Sequence, residues 1–169
     1  MKKYLSVLVL IFLSMSCKDE FKAEYFFPEN NVSFYAVIFN SKSGITAEKS
    51  NGKYEYNFEK SNILFVKEAQ LTGIGNNFYY LIGEDNAVKK EIVAVNDFVP
   101  KNNQTVIYFH TLASYTIAKT NQQVDYEMFW LAPNKKMSDK EQIEEDKRQN
   151  IQIQLLHQKI DSLVNVGLL

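Results

Sequence analysis

Short apolar runs separated by turn residues set the pattern of this chain. Val32–Phe39 (VSFYAVIF) is apolar at both parities after Ser33, which predicts a strand covered on both faces. Tyr54, Tyr56 and Phe58 alternate with Glu55, Asn57 and Glu59, the pattern of a strand with one buried and one wet face. Between them, Ser50-Asn51-Gly52-Lys53 predicts a hairpin, because Asn-Gly adopts the two positive φ values of a type I′ turn. Further strands are expected at Ile45–Lys49, Ile63–Val66, Phe78–Ile82, Ala87–Val95, Thr105–Leu112, Ser114–Lys119 and Val124–Leu131. The intervening breaks are Leu71–Asn77, Gly83–Asn86, Pro100–Asn103 and Asn121–Gln123. Runs this short and this closely spaced predict a mainly β fold, an antiparallel β-sandwich of about seven to nine strands spanning residues 25–133.

The pattern changes after Pro133. Ser138-Asp139-Lys140-Glu141 is a capping box, and residues 139–165 hold neither proline nor glycine before Gly167 offers a stop. A C-terminal α-helix is therefore expected within 134–169. Ile153, Leu156, Ile160, Leu163 and Val164 share one face at helical spacing, while Ile151 and Leu155 lie opposite. The first half is almost wholly polar, with Glu144 and Arg148 spaced for an ion pair. It is expected to lie loosely over 139–150 and to pack on the sandwich only from Ile151 onward. The opposite face is free to meet another chain.

The amino terminus reads as an address. Lys2 and Lys3 precede the apolar run Leu5–Leu13, which is too short for the ~20 residues that a membrane-spanning helix needs. Charge, short apolar stretch and small residues, in that order, form a secretory signal over residues 1–16. Ser14-Met15-Ser16-Cys17 resembles the lipobox of bacterial lipoproteins, with Ser14 in the place usually held by leucine. That resemblance implies that Cys17 carries palmitate-type acyl chains and begins the mature chain. Residues 17–24 would then be a lipidated tether. Lys18-Asp19-Glu20 resembles the surface-export signal of lipoproteins in one Gram-negative phylum, which implies an outer-membrane protein displayed at the cell surface.

Composition narrows the chemistry. The chain has 169 residues and a formal charge of −1, a size that fits one domain. Arg148 is the only arginine, and the near-neutral balance argues against nucleic acid as a partner. The single cysteine excludes an internal disulfide or a multi-cysteine metal site. His110 and His157 have no second histidine at metal-ligand spacing, and His110 reads as structural. Gly73-Ile74-Gly75 has no Walker lysine, and Glu84-Asp85-Asn86 lacks the spacing of a calcium loop and reads as a hairpin tip. Glu144-Glu145-Asp146 reads as a solvated helix face. Asp161-Ser162-Leu163 resembles a short O-glycosylation motif, but Leu163 belongs to the apolar stripe. No catalytic residue, metal or cofactor is expected.

Aromatic residues make up 14% of the chain. Tyr54, Tyr56, Phe78, Tyr79, Tyr80, Tyr108, Tyr115, Tyr126, Phe129 and Trp130 fall on expected strands, where they either fill the core or stack on sugars and anchor proteins. Phe26–Glu29, Phe34–Phe39, Gly52–Leu64 and Tyr79–Asp85 together resemble an uncharacterised family of small bacterial lipoproteins. The Asn-Gly-Lys-Tyr-x-Tyr-x-Phe stretch also resembles the seven-stranded transthyretin-like and carboxypeptidase-regulatory-like sandwiches. Neither resemblance implies an activity. The expected function is that of a lipid-anchored, non-enzymatic envelope module that binds a protein or glycan. The alternative is a periplasm-facing immunity or inhibitor lipoprotein directed at a toxin or hydrolase.

Overall fold

The computed structural model describes residues 22–29, 33–69, 77–83, 89–94, 104–133 and 137–169. Among them are nine strands and one long helix: β1 (Ala23–Pro28), β2 (Phe34–Ile38), β3 (Glu48–Ser50), β4 (Lys53–Asn57), β5 (Ile63–Phe65), β6 (Phe78–Ile82), β7 (Lys89–Ile92), β8 (Thr105–Thr116), β9 (Gln123–Pro133) and α1 (Asp139–Asn165). The strands form a five-stranded sheet in the order β3-β4-β1-β6-β7 and a four-stranded sheet in the order β5-β2-β9-β8.

The mainly β, two-sheet architecture with a C-terminal helix is the expected one, but both sheets are mixed. β1 runs parallel to β4 and β6 on either side of it, and β2 runs parallel to β5. β1 itself begins inside the stretch read as a tether and occupies the middle of its sheet. Ser114–Lys119 is not a separate strand, because β8 runs unbroken from Thr105 to Thr116 with a bulge between Ile107 and Phe109. The Asn51-Gly52 turn is as expected: φ is 51° and 78° at the two residues, and Ser50 pairs with Lys53 across the hairpin.

β2 shows why its sequence is apolar on both sides. Tyr35, Val37 and Phe39 enter the core between the sheets, with Tyr25, Phe27, Tyr56, Phe58 and Phe129. Phe34, Ala36 and Ile38 enter a second core beneath α1, with Tyr126, Met128, Trp130, Leu156 and Ile160. The molecule is thus built in three layers, sheet on sheet on helix.

The helix departs from expectation in its first half, which docks rather than lying loosely. Glu145 is buried there and accepts a hydrogen bond from the Trp130 indole N–H. Its other oxygen pairs with Arg148 at 2.7 Å, so Arg148 serves Glu145 and not Glu144. The Gln142 side-chain amide donates to the Tyr108 hydroxyl at 2.8 Å. A polar helix segment can dock when its polar groups meet the N–H and O–H handles of buried aromatic residues.

Both helix ends are closed. Ser138 caps the start, with Glu141 completing the box. At the far end Gly167 has φ of 73°, its N–H reaches the Val164 carbonyl, and the Leu168 N–H reaches the Leu163 carbonyl. That pair of bonds is a Schellman motif, and glycine supplies the left-handed residue at no steric cost. Leu169 is then buried in the helix-side core, and Ser43 bonds the Leu168 carbonyl through both N–H and hydroxyl.

Candidate functional site

Alternation along β9 points Asp125, Glu127, Phe129 and Leu131 towards the five-stranded sheet. Glu127 is therefore a carboxylate between two sheets, and it is only 3% exposed. A buried charge is costly unless it is paired and hydrogen-bonded. Both oxygens are satisfied: the Tyr25 hydroxyl donates to Oε2 at 2.6 Å, and His110 Nε2 lies 2.6 Å from Oε1. Tyr25 comes from β1 and His110 from β8, so this carboxylate ties both sheets together. His110 stacks on Phe129 with ring centroids 4.8 Å apart, and Tyr79 meets its edge. Tyr25 in turn stacks on Tyr56 and Tyr79.

Burial, reinforced by the Glu127 charge, pushes the Tyr25 hydroxyl well above the usual phenol range and raises Tyr56 in the same way. Tyr79 is also raised by burial. Tyr25 thus stays protonated, the form that donates to the carboxylate. The His110 ring remains partly open to solvent at the rim of the sandwich. Carboxylate and imidazole are thus in contact, but among the described residues no serine or threonine hydroxyl bonds that imidazole. The arrangement acts as a structural tie between the sheets. Its sequence signal was an acid at a core-facing position of an otherwise apolar run.

The second region is the outer face of the five-stranded sheet. In β1 and β6, Phe26, Phe78, Tyr80 and Ile82 alternate with the core-facing residues and so point away from the sandwich interior. Phe26 and Tyr80 stack with centroids 5.3 Å apart. The Lys89 ammonium lies 4.4 Å above the Phe26 ring, and the Lys53 ammonium 4.1 Å above Phe78. Lys53 also pairs with Glu24 at 2.7 Å, and that bond raises its pKa. Beside this row, Phe26, Glu55, Asn57, Ile82 and Lys89 line a shallow cavity of about 140 Å³. An apolar floor rimmed by a carboxylate, an amide and an ammonium offers both stacking and hydrogen bonds.

The other aromatic residues divide between the two cores. Tyr25, Tyr56, Tyr79 and Phe129 pack between the sheets; Tyr108, Tyr115, Tyr126 and Trp130 lie under the helix. His157 belongs to the helix-side group, stacked on Tyr115 at 4.1 Å with its Nε2 3.0 Å from the Tyr126 hydroxyl. Burial lowers its pKa, partly offset by Asp161. Asp161 accepts the Tyr115 hydroxyl at 3.0 Å, a tie between helix and strand. Glu145, read as solvated, is buried. Cys17, Lys18, Asp19 and Glu20 lie outside the described residues, as do Gly73–Gly75 and Glu84–Asn86. Among the described residues, no three His, Cys, Asp or Glu side chains are grouped to hold a metal. No helix there is long and apolar enough to cross a membrane.

Comparison with known proteins leaves the family open. No family model matches the chain. No curated protein matches it. It is similar to a solved structure described as "Putative Lipoprotein from Bacillus anthracis", with a TM-score of 0.48 and 14% identity over 77% of this chain and 93% of that one. A likeness at that level assigns no function here.

Proposed function

We propose that the chain is a lipid-anchored envelope protein whose sandwich is a non-enzymatic binding module for a protein or glycan. The observation that carries the binding role is the asymmetry of the layers. α1 covers the outer face of the four-stranded sheet, whereas the outer face of the five-stranded sheet presents Phe78 and Tyr80 among Lys53, Lys89, Glu24, Glu55 and Asn57. The anchor rests on the signal pattern of residues 1–16 and on the single cysteine at its end. Five residues separate Cys17 from Ala23, the first residue of β1, so the two are joined by a span that reaches roughly 20 Å when extended. The body would therefore sit close to the bilayer, held by two or three acyl chains, since one chain alone binds marginally. Lys18-Asp19-Glu20 within that tether would direct the protein to the outer surface.

Metabolic acyl labelling tests this reading. The wild-type chain should label and fractionate with membranes, and Cys17→Ala should lose the label and stay unprocessed. Replacing Lys18, Asp19 and Glu20 with alanine should leave the label intact but protect the protein from protease added to whole cells. Labelling that survives in Cys17→Ala would overturn the anchor.

A further inference from the structure

β8 is a 12-residue strand at the end of its sheet. β9 pairs with it along one side. Along the other side, among the described residues, it is met only near Ile107, whose N–H bonds the Val93 carbonyl beside the Ala94 bridge. From Phe109 to Thr116 that edge carries no described partner. Long open edges in proteins are normally guarded by lysine, proline or brevity. β8 has none of these guards, and the bulge it carries, another common guard, lies between Ile107 and Phe109, before the open stretch. From Thr105 to Ala118 there is no Asp, Glu, Lys, Arg or Pro. Phe109 and Leu112 on this strand are 39% and 50% exposed.

We propose that this edge pairs antiparallel with β8 of a second copy of the chain. The pairing is isologous, so every residue near the two-fold axis meets itself or a close neighbour, and a charge there would face its like. The run holds no lysine, arginine, aspartate or glutamate, and its one titratable ring, His110, is engaged by Glu127, which removes that cost and marks the edge for self-pairing more than for an extended peptide of opposite charge. The pleat fixes which registers are allowed, because residues directly opposite must share a face. The bulge and the Ala94 bridge end the available stretch at Phe109, so the midpoint falls beside Leu112. With Leu112 on the axis, Phe109 stands opposite Tyr115 of the second copy, His110 opposite Ser114, and Thr111 opposite Ala113. Two half-exposed leucines then meet on the face towards the five-stranded sheet, and two aromatic pairs meet on the helix face. The two four-stranded sheets become one continuous sheet, with both helices on the same face.

Disulfide trapping in the full-length chain in its own membrane tests the register. Leu112→Cys places two thiols opposite one another, at a Cα separation of roughly 4.5–5.5 Å that a disulfide spans. Mild oxidation should convert most of this variant to a covalent dimer. Ile151→Cys, on the exposed outer side of α1, should stay monomeric. Co-expressed Thr111→Cys and Ala113→Cys copies should give a cross-linked heterodimer, an independent check if Leu112→Cys folds poorly. Leu112→Lys should weaken association at least tenfold in sedimentation of the purified protein. Absence of cross-linking in both cysteine designs overturns the proposal. Cross-linking through Ile151→Cys in place of Leu112→Cys overturns it too, by moving the contact to the helix.

Discussion

Glu127 holds its charge between two sheets because Tyr25 and His110 each take one of its oxygens. Tyr25→Phe keeps the ring stacking and removes one donor. A hydrogen bond to a charged group contributes about 1.5–3 kcal/mol, so denaturant unfolding of this variant should show a loss of that size. An unchanged midpoint would mean that the carboxylate does not depend on this bond. His157 is a second residue-scale test. Its folded pKa is lowered, so the unfolded chain binds a proton more readily as pH falls through the usual histidine value of about 6.5. That stability is present above the unfolded value and is lost on further acidification. His157→Gln should flatten this part of the pH–stability curve, read as melting temperature between neutral and mildly acidic pH. Neither role was legible beforehand. Residue type marks an acid or a histidine as notable, but only the register of β9 and the docking of α1 decide which group each one faces.

The elements were legible where the signal is local. The Asn51-Gly52 hairpin is dictated by two adjacent residues. At Gly52 a Cβ would meet no atom within 4 Å, so the penalty of substitution there is backbone strain alone. Gly52→Val should therefore lower stability by about 1–3 kcal/mol in a melting or denaturant experiment. A wild-type value would mean that the hairpin tip relaxes freely. β1 was hidden for the opposite reason. It is a short apolar run closed by Pro28, and its partners β4 and β6 lie about 30 and 55 residues further along. No turn signal links it to either, and parallel pairing leaves no hairpin to read. In α1 the apolar stripe gave the packing of the second half, but Glu145 looked like a surface charge because its partner, the Trp130 indole, sits on another element. The contrast within this helix is testable. Leu156→Ala should cost about 2–5 kcal/mol, because the residue is 1% exposed in a packed core. Ile143→Ala should be nearly silent, because that side chain is 55% exposed. Equal effects of the two substitutions would place the helix in a different rotation about its axis.

At the scale of the molecule, three layers leave two surfaces with different tasks. The helix finishes the four-stranded sheet, burying Phe34, Met128 and Trp130, and its removal would open that core to water. Nine strands stand among the described residues, within the seven to nine expected, and two of them pair in parallel with β1. The outer face of the five-stranded sheet keeps Phe78 and Tyr80 beside paired and stacked lysines, and it is the surface to which we assign binding. Hydroxyl-radical footprinting of the protein in its native envelope, compared with the purified protein, tests that assignment directly. Phe78 and Tyr80 should lose modification in the envelope, while Ile151 and Leu155 on the outer side of α1 keep theirs. Loss of modification at Ile151 and Leu155 with none at Phe78 and Tyr80 would contradict the account and move the working surface to the helix.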